Sequence, residues 1–242
     1  MLKVLKVKSE ILLRKIGKNF GLDIKMTDEE RFMLLLKHYK IDLIFDVGAN
    51  TGQYAESLFK LGYKGKIVSF EPLSEAHQKL LKNSEKYPGW MVAERCALGA
   101  EDGEIEINIS ENSVSSSIMN VLNDHVKAEP KSRIIKKEKT KIFKLDSVYH
   151  RYAENAKNIL LKVDTQGFEE PVLKGASNTI PKLSGIQLEM SLTTLYDGQM
   201  LFKELYELVT GLGFSLNLIE PSFTDKDTGR LLQIDGIFFR EL

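Results

Sequence analysis

The stretch LIFDVGANTGQYAE, Leu43 to Glu56, places an acid and two glycines where a buried strand gives way to a helix. Glycine adopts positive φ angles and lets the backbone come close to a ligand, because no Cβ stands in the way. Gln53 begins the helical pattern, and the free N–H groups of a helix N-terminus face whatever lies beyond the turn. This combination fits a site for a nucleoside-containing molecule.

A second acid at the next strand end supports a nucleoside ligand. Glu71 follows Gly52 by 19 residues and ends the segment KIVSFEP together with Pro72. An acid in this position can accept hydrogen bonds from the two hydroxyls of a ribose. NAD and S-adenosylmethionine both contain that ribose, so this acid alone leaves both ligands open.

The side chains of the first turn separate these two ligands. A dinucleotide-binding turn that starts at Gly48 needs glycines at positions 50 and 53, so that a pyrophosphate can reach the helix N-terminus. The sequence has Asn50 and Gln53 there. Asp46 would repel a pyrophosphate but attract the ammonium and sulfonium groups of S-adenosylmethionine. The turn therefore favours S-adenosylmethionine, and an NAD-linked oxidoreductase is the alternative enzyme.

Strand and helix patterns alternate along most of the chain. LIFDVG, KIVSFEP, WMVAERCAL, NILLKVDTQG and SGIQLEMS have strand patterns, and helical patterns separate most of them. Such alternation predicts parallel strands joined by crossover helices. The last two strands, FSLNLIEP and LQIDGIFF, have no helix between them and should pair antiparallel. We therefore predict an α/β fold with a doubly wound, mostly parallel sheet and an antiparallel C-terminal edge strand.

Helical patterns precede the first strand, so we expect a helical extension over residues 1–40 and the main domain over residues 41–242. Six basic residues and one acid lie between Met1 and Lys18. This pattern suits peripheral contact with an anionic membrane, or a helix packed on the domain. Charges interrupt the apolar residues too often for a signal peptide or a spanning helix, so we expect a cytoplasmic protein.

The region from Asp102 to about Phe143 departs from the alternation. GEIEINIS alternates with period two and the polar stretch ENSVSSSIMN follows it, which predicts a strand and loop inserted over one end of the sheet. The connection between the last two strands should emerge at the same edge as the first turn. It contains Phe223, Asp225, Asp227 and Arg230. With the insertion and TTLYDGQ it forms either a hydrogen-bonding rim for a polyhydroxylated acceptor or a solvated hairpin.

Several stretches resemble the motifs of a known family. DVGANTGQY, SFEP, CALG, LLKVDTQGFE, VLKGA and LQIDGIFF are similar to motifs of the FkbM family of class I S-adenosylmethionine-dependent methyltransferases, over about Ile41 to Phe239. KVDTQGFE is the most family-specific of them. The resemblance implies a seven-stranded Rossmann-like domain. It also implies an enzyme that methylates a hydroxyl oxygen of a sugar, glycan or secondary metabolite, with S-adenosylmethionine as cofactor.

The resemblance implies where the cofactor binds. The expected contacts are Asp46, Gly48, Ala49, Asn50, Gly52, Gln53, Glu71, Pro72, Ala97, Leu98 and Asp164. The residues of the first turn surround the methionine part, Glu71 holds the ribose, and Ala97 and Leu98 lie beside the adenine.

Asp164 ends a predicted central strand, so its carboxylate should face the methyl group. Holding the acceptor oxygen in line with the sulfonium contributes up to about 7 to 11 kcal/mol. A base that removes the hydroxyl proton adds roughly 10² to 10⁴-fold. We predict that Asp164 is this base or orients the acceptor, and that Gln166 and Glu169 shape the site. Alternatively, Asp164 only caps the turn or anchors the cofactor, and Glu169 complements a helix N-terminus.

Metal chemistry has weaker support in the sequence. Glu189 ends the next strand and, with Asp164, offers two carboxylates for a divalent ion, but no third ligand is apparent. We therefore expect no metal, with a divalent ion as the alternative. His77, His125 and His150 lack metal-binding spacing and are expected at the surface, although His125 borders the insertion and is a second candidate base.

The overall composition narrows the range of partners. Lysine plus arginine equals aspartate plus glutamate at 34 each, so no overall positive field attracts nucleic acid. The single cysteine, Cys96, cannot form an internal disulfide, which suits a reducing compartment. We expect a small-molecule or glycan acceptor with hydroxyl groups. The non-enzymatic alternative is a nucleoside-binding module that acts through its N-terminal helix.

Overall fold

The structure is a computed structural model and describes residues 26–241. The helices are α1 Asp28–His38, α2 Gln53–Leu61, α3 Ser74–Ser84, α4 Asn123–Ala128, α5 Leu145–Tyr152, α6 Glu169–Lys174 and α7 Phe202–Gly211. The strands are β1 Leu43–Val47, β2 Lys66–Phe70, β3 Trp90–Val92, β4 Cys96–Leu98, β5 Gly103–Ser110, β6 Ile134–Phe143, β7 Ile159–Val163, β8 Leu183–Ser191, β9 Ser215–Thr224 and β10 Leu231–Phe239. The expected basic helix near the N-terminus lies outside the described residues.

Seven strands form the main sheet in the order β3-β2-β1-β7-β8-β10-β9. The five neighbouring strands β3, β2, β1, β7 and β8 run parallel to one another. Strand β10 runs antiparallel to both β8 and β9. The predicted α/β fold is confirmed, with one difference in detail. The antiparallel C-terminal strand lies inside the sheet, and β9 forms the edge. Because β10 is buried along most of its length and β9 is largely exposed, the more apolar strand takes the covered position.

The two central strands, β1 and β7, are buried at every residue. Parallel strands covered on both faces usually consist of continuous apolar runs. Each of these strands has one charged exception, Asp46 in β1 and Lys162 in β7. The register of the parallel pair places Asp46 directly beside Lys162. The two charges therefore meet in the interior of the sheet.

The insertion forms a small sheet in the order β4-β6-β5. The segment WMVAERCAL, predicted as one strand, is split: its first part joins the main sheet as β3 and its last part joins the small sheet as β4. Arg95 stabilises the bend between them, because its guanidinium donates to the Pro72 carbonyl and to the Glu138 carboxylate of β6. The predicted strand and loop over one end of the sheet thus becomes a three-stranded layer.

Helix α1 packs against the main sheet rather than standing apart from it. Thr27 and Glu30 form a reciprocal capping box at its start. Phe32 and Leu36 are buried in the same apolar cluster as Ile44 of β1. The division into residues 1–40 and 41–242 stays a prediction. Between residues 26 and 241, no helix combines the length and apolar character needed to cross a bilayer.

The turn after β1 has positive φ angles at Gly48, Asn50 and Gly52. A Cβ added to Gly48 would collide with the backbone carbonyl of Asp164. A Cβ added to Gly52 would collide with the indole ring of Trp90 in β3. Gly48 therefore permits two turns to touch, whereas Gly52 permits the first turn to pack on β3.

We predict that Gly52→Ala lowers the free energy of unfolding more than Gly62→Ala does. Both glycines have positive φ, but nothing lies within 4 Å of a Cβ added to Gly62. Each substitution should cost about 1–2 kcal/mol of left-handed backbone strain, and Gly52→Ala a further 1–3 kcal/mol, roughly, of overpacking. Urea unfolding without ligand measures both losses. Equal losses would show that the Trp90 contact is unimportant.

Candidate active site

The carboxyl ends of β1, β2 and β7 meet at one edge of the main sheet, and a cavity of about 240 Å³ opens there. Most of the predicted site residues line it. They are Gly48, Ala49, Asn50, Gln53, Glu71, Pro72, Ala97, Leu98, Asp164 and Gln166. The three predicted residues that do not line it are Asp46, Gly52 and Glu169. The prediction that ligand-binding residues lie at the carboxyl ends of the parallel strands therefore located the cavity. The three remaining residues make other contacts.

Glu71 is held in place by the backbone of two neighbouring turns. Its carboxylate accepts hydrogen bonds from Asn50 N at 2.7 Å and from Leu73 N at 2.9 Å. The residue is only 4% exposed. Burial raises the pKa of Glu71 to about 7, although both backbone hydrogen bonds act to lower it. A carboxyl fixed in this way can receive the two hydroxyls of a ribose.

Asp46 lies beneath the cavity and does not line it. Its side chain is completely buried, with Oδ1 at 3.0 Å from Nζ of Lys162 and Oδ2 accepting from the Ser69 hydroxyl at 2.9 Å. The expected contact between Asp46 and a cationic ligand stays a prediction, and the cation that Asp46 contacts in this structure is the Lys162 ammonium. Sequence patterns do not give the strand register that brings Lys162 beside it. Asp46 neutralises a lysine that does line the cavity.

Lys162 is the cationic side chain that sequence reasoning missed. Burial acts to lower its pKa, but the carboxylates of Asp46 and Asp164 raise that pKa above its usual value. The ammonium also lies over the ring of Tyr54, 5.2 Å from the ring centroid. One signal was present in the sequence, because a lysine interrupts the apolar run ILLKV.

Asp164 is the acid most open to the cavity, with 34% of its side chain exposed. Its Oδ2 lies 3.7 Å from Nζ of Lys162, and its Oδ1 accepts a hydrogen bond from Gln166 Nε2 at 2.8 Å. Backbone contact anchors the residue as well, since Asp164 N donates to the carbonyl of Val47. Asp164 therefore presents an oriented carboxylate to the cavity.

Gln166 joins this acid to a second one. Its backbone has a φ of 56°, and its carbonyl accepts from the Ser117 hydroxyl at 2.7 Å. Its Nε2 donates to Asp164 and also to Glu189 Oε2 at 2.6 Å. Its Oε1 accepts from the Tyr196 hydroxyl at 2.6 Å. Every polar atom of the Gln166 side chain is therefore engaged.

Glu169 holds the turn that carries Gln166. Its Oε1 accepts from Thr165 N at 2.9 Å and from Gly167 N at 3.1 Å. Burial raises the pKa of Glu169 to about 7. Glu169 does not line the cavity, and its part in shaping the site stays a prediction. Its position agrees with the alternative, in which it satisfies free N–H groups near a helix start.

Glu189 is 7% exposed and accepts from three side chains. Besides Gln166, they are Gln233, whose Nε2 donates at 2.8 Å, and Ser222, whose hydroxyl donates at 3.2 Å. Burial raises the pKa of Glu189 well above its usual value. Within residues 26–241, no group of three or more His, Cys, Asp or Glu side chains is arranged to hold a metal ion.

The rim of the cavity comes from segments that are distant in sequence. Val121 of the insertion forms a bridge with Tyr196, and Ser113, Ser116 and Ser117 line the cavity. The hairpin residue Asp225 instead accepts hydrogen bonds within its own turn. The hydroxyl-rich wall of the rim therefore comes from the insertion.

The expectation that His125 lies at the surface is wrong. The residue is 2% exposed, and its ring lies 5.0 Å from the ring of Tyr196 and 5.4 Å from that of Phe223, between centroids. Burial lowers its pKa to about 4. His125 therefore helps to join the insertion to the C-terminal hairpin.

One curated relative shares part of the chain. The protein is 26% identical over 158 residues to the hexuronic acid methyltransferase AglP of Haloferax volcanii. The aligned residues cover 65% of this chain and 59% of that protein. The chain thus spans less than two thirds of that relative's length.

Two solved structures give a further comparison. They are magnesium protoporphyrin IX methyltransferase (ChlM) from Synechocystis with bound SAM, and an rRNA methylase from Streptococcus thermophilus. The first is 10% identical with a TM-score of 0.47, over 87% of this chain and 76% of that chain. The second is 11% identical with a TM-score of 0.47, over 90% of this chain and 99% of that chain.

The family assignment rests on the sequence. The model of the methyltransferase FkbM domain matches residues 46–216, from the acid of β1 to the start of β9. This range includes the cavity, both of its turns and the insertion. The chain therefore belongs to the FkbM family of S-adenosylmethionine-dependent methyltransferases.

Proposed function

We propose that the protein transfers a methyl group from S-adenosylmethionine to a hydroxyl oxygen of a sugar, a glycan or a hydroxylated secondary metabolite. The observation that carries this proposal is Asp164, an oriented and partly exposed acid at the edge of the cavity. The hydroxyl oxygen forms the new C–O bond while the C–S bond breaks. Asp164 takes the hydroxyl proton, and S-adenosylhomocysteine leaves.

In this proposal the cofactor lies along the first turn. Glu71 receives the ribose hydroxyls, and the apolar side chains of Ala97 and Leu98 flank the adenine. Asn50 and Gln53, which also line the cavity, contact the methionine part. The sulfonium then faces the end of β7, where Asp164 stands.

The buried ion pair makes this cavity suitable for a cationic donor. Lys162 lines the cavity and would repel a sulfonium if its charge stood alone. Asp46 lies 3.0 Å from the lysine and Asp164 lies 3.7 Å from it, so two carboxylates offset one ammonium. The cavity end of β7 is therefore receptive to one further positive charge.

Asp164 is a better candidate base than the other acids of the cavity. Glu71 uses both oxygens to fix two backbone N–H groups. Glu189 is buried beneath three side-chain donors. Asp164 is the most exposed of these three acids. Its Oδ2 faces Lys162 and accepts no hydrogen bond from a neutral donor within residues 26–241. A base must lie within hydrogen-bond reach of the proton that it removes.

The rim supports the proposed acceptor class. Ser117 and Ser116 line the cavity, but their hydroxyls bond to Gln166 and Ser110. Ser113 also lines it, and its hydroxyl has only a 3.5 Å contact with Asn50, so it can donate to or accept from a hydroxylated molecule. The name of the AglP relative, a hexuronic acid methyltransferase, supports a sugar acceptor. A small-molecule or glycan acceptor therefore remains the proposal.

The first prediction tests the reaction itself. The protein, S-adenosylmethionine and a panel of neutral sugars, hexuronic acids and hydroxylated metabolites should yield an acceptor heavier by one methyl group. An ether-linked methyl survives mild alkali, whereas a methyl ester on a uronate does not. Mass spectrometry before and after alkali separates the two products, and NAD in place of the donor is the control. An alkali-labile product, or methyl found on nitrogen, would contradict the proposed hydroxyl specificity.

The second prediction concerns the base. Asp164→Asn should lower kcat by roughly 10² to 10⁴-fold, because the amide cannot accept the hydroxyl proton. The affinity for S-adenosylhomocysteine, measured by calorimetry, should change much less. Asp102→Asn is a matched control, since Asp102 is exposed and bonds Lys144 N and Ser147 away from the cavity. An Asp164→Asn enzyme with at least half of the normal kcat would exclude the role of base.

The third prediction concerns the buried ion pair. Asp46→Asn should destabilise the protein by roughly 3–5 kcal/mol, because it leaves the Lys162 charge without its closest partner. It should also weaken S-adenosylmethionine binding, since that charge then opposes the sulfonium. The double variant Asp46→Asn/Lys162→Met should regain most of the stability in urea unfolding. The account fails if Asp46→Asn binds the donor normally, or if the double variant is as unstable as the single one.

A further inference from the structure

We propose that Tyr196 is a positioning residue for methyl transfer, and that its hydroxyl fixes the orientation of Asp164 through the Gln166 side chain. This inference rests on the proposed function, because it presumes that Asp164 acts on the acceptor. Tyr196 itself does not line the cavity and touches no reacting atom.

The Tyr196 hydroxyl determines which way the Gln166 amide faces. It lies 2.6 Å from Gln166 Oε1 and donates to it. On the other side, the two Nε2 hydrogens are shared between Asp164 Oδ1 at 2.8 Å and Glu189 Oε2 at 2.6 Å. A flipped amide would turn its oxygen towards two carboxylate oxygens. The three partners therefore favour a single orientation of the amide.

The backbone around Gln166 is fixed as firmly as its side chain. Gln166 and Gly167 both have positive φ angles, of 56° and 96°. Glu169 accepts from the N–H groups on either side of Gln166, and Ser117 donates to its carbonyl. The tip of the side chain is the remaining degree of freedom, and Tyr196 restrains it.

The consequence appears at Asp164. Its Oδ1 is committed to the amide, which leaves Oδ2 directed towards Lys162 and the cavity. Without the Tyr196 hydroxyl, the amide loses one of its three partners, and only the two carboxylates hold Nε2. The amide then has more freedom, and the restraint on the Asp164 carboxylate weakens. The positioning of the acceptor should change as a result.

Tyr196 also connects this acid to the acceptor rim. Its hydroxyl lies 3.3 Å from the carbonyl oxygen of Ser115, and its backbone bridges to Val121, both in the insertion. Its backbone N–H and that of Leu195 donate to the side chain of Gln199, which holds the segment in place. The wall that contacts the acceptor and the acid that takes its proton thus share one residue.

The test is a double-mutant cycle on kcat. Tyr196→Phe removes one oxygen and keeps the ring that packs against Gly167 and His125. It should lower kcat about 10-fold and change S-adenosylhomocysteine affinity less than about two-fold. In the Gln166→Ala background the same substitution should change kcat less than about two-fold, because the intermediary is gone.

A matched control separates positioning from general packing. Tyr63 is another buried tyrosine, and its hydroxyl donates to the Ile41 carbonyl at 3.3 Å, away from the cavity. Tyr63→Phe should leave kcat unchanged. Thermal unfolding of all variants confirms that each is folded at the assay temperature.

Three outcomes would overturn the inference: normal kcat in Tyr196→Phe, a loss confined to KM, or full additivity in the cycle. They differ from failure of the proposed function. If Asp164→Asn is fully active, the base is elsewhere and both proposals fall. If Asp164→Asn is inactive while Tyr196→Phe behaves normally, only the role of Tyr196 is lost.

Discussion

The site depends on a contact between two turns that leaves room for a hydrogen atom and nothing larger. Gly48 follows β1, Asp164 follows β7, and a Cβ on the glycine would collide with the aspartate's carbonyl. Parallel pairing of β1 with β7 creates the contact, and the bond from Asp164 N to the Val47 carbonyl completes it. The turn that we assign to the methyl donor and the acid that we assign to the acceptor are adjacent for this reason.

A second constraint is the charge beneath that contact. Two acids and one lysine lie together where a sulfonium is expected, and burial limits the screening of the Asp46–Lys162 pair by water. Gln166 then links Asp164 to Glu189 through one amide. The neutral Gln166 amide thus lies between Asp164 and Glu189. Lys162 neutralises Asp46, the most deeply buried of the three acids. The arrangement keeps one carboxylate, Asp164, open to the cavity.

Sequence patterns predicted the parts of this site that depend on local structure. Strand ends, the glycine turn and the acid at the end of β2 follow from periodicity and spacing, and all lie at the cavity. The missing parts depend on strand register and long-range packing. The contact between Asp46 and Lys162 depends on strand register, and the contact between Gly52 and Trp90 depends on the packing of β3. The hydrogen bond from Tyr196 to Gln166 joins residues that are 30 positions apart in the sequence. The inner position of β10 likewise reflects burial that alternation of strands and helices does not encode.

The most direct test of the central claim is a crystal structure of the complex with S-adenosylhomocysteine. The account predicts that both ribose hydroxyls lie about 3 Å from the carboxylate of Glu71. It also predicts adenine beside Ala97 and Leu98, and sulfur on the side of the cavity where Asp164 stands. A ribose that contacts no acid, or a ligand bound with its adenine against Asp164, would contradict the claim that these two turns bring donor and acceptor together.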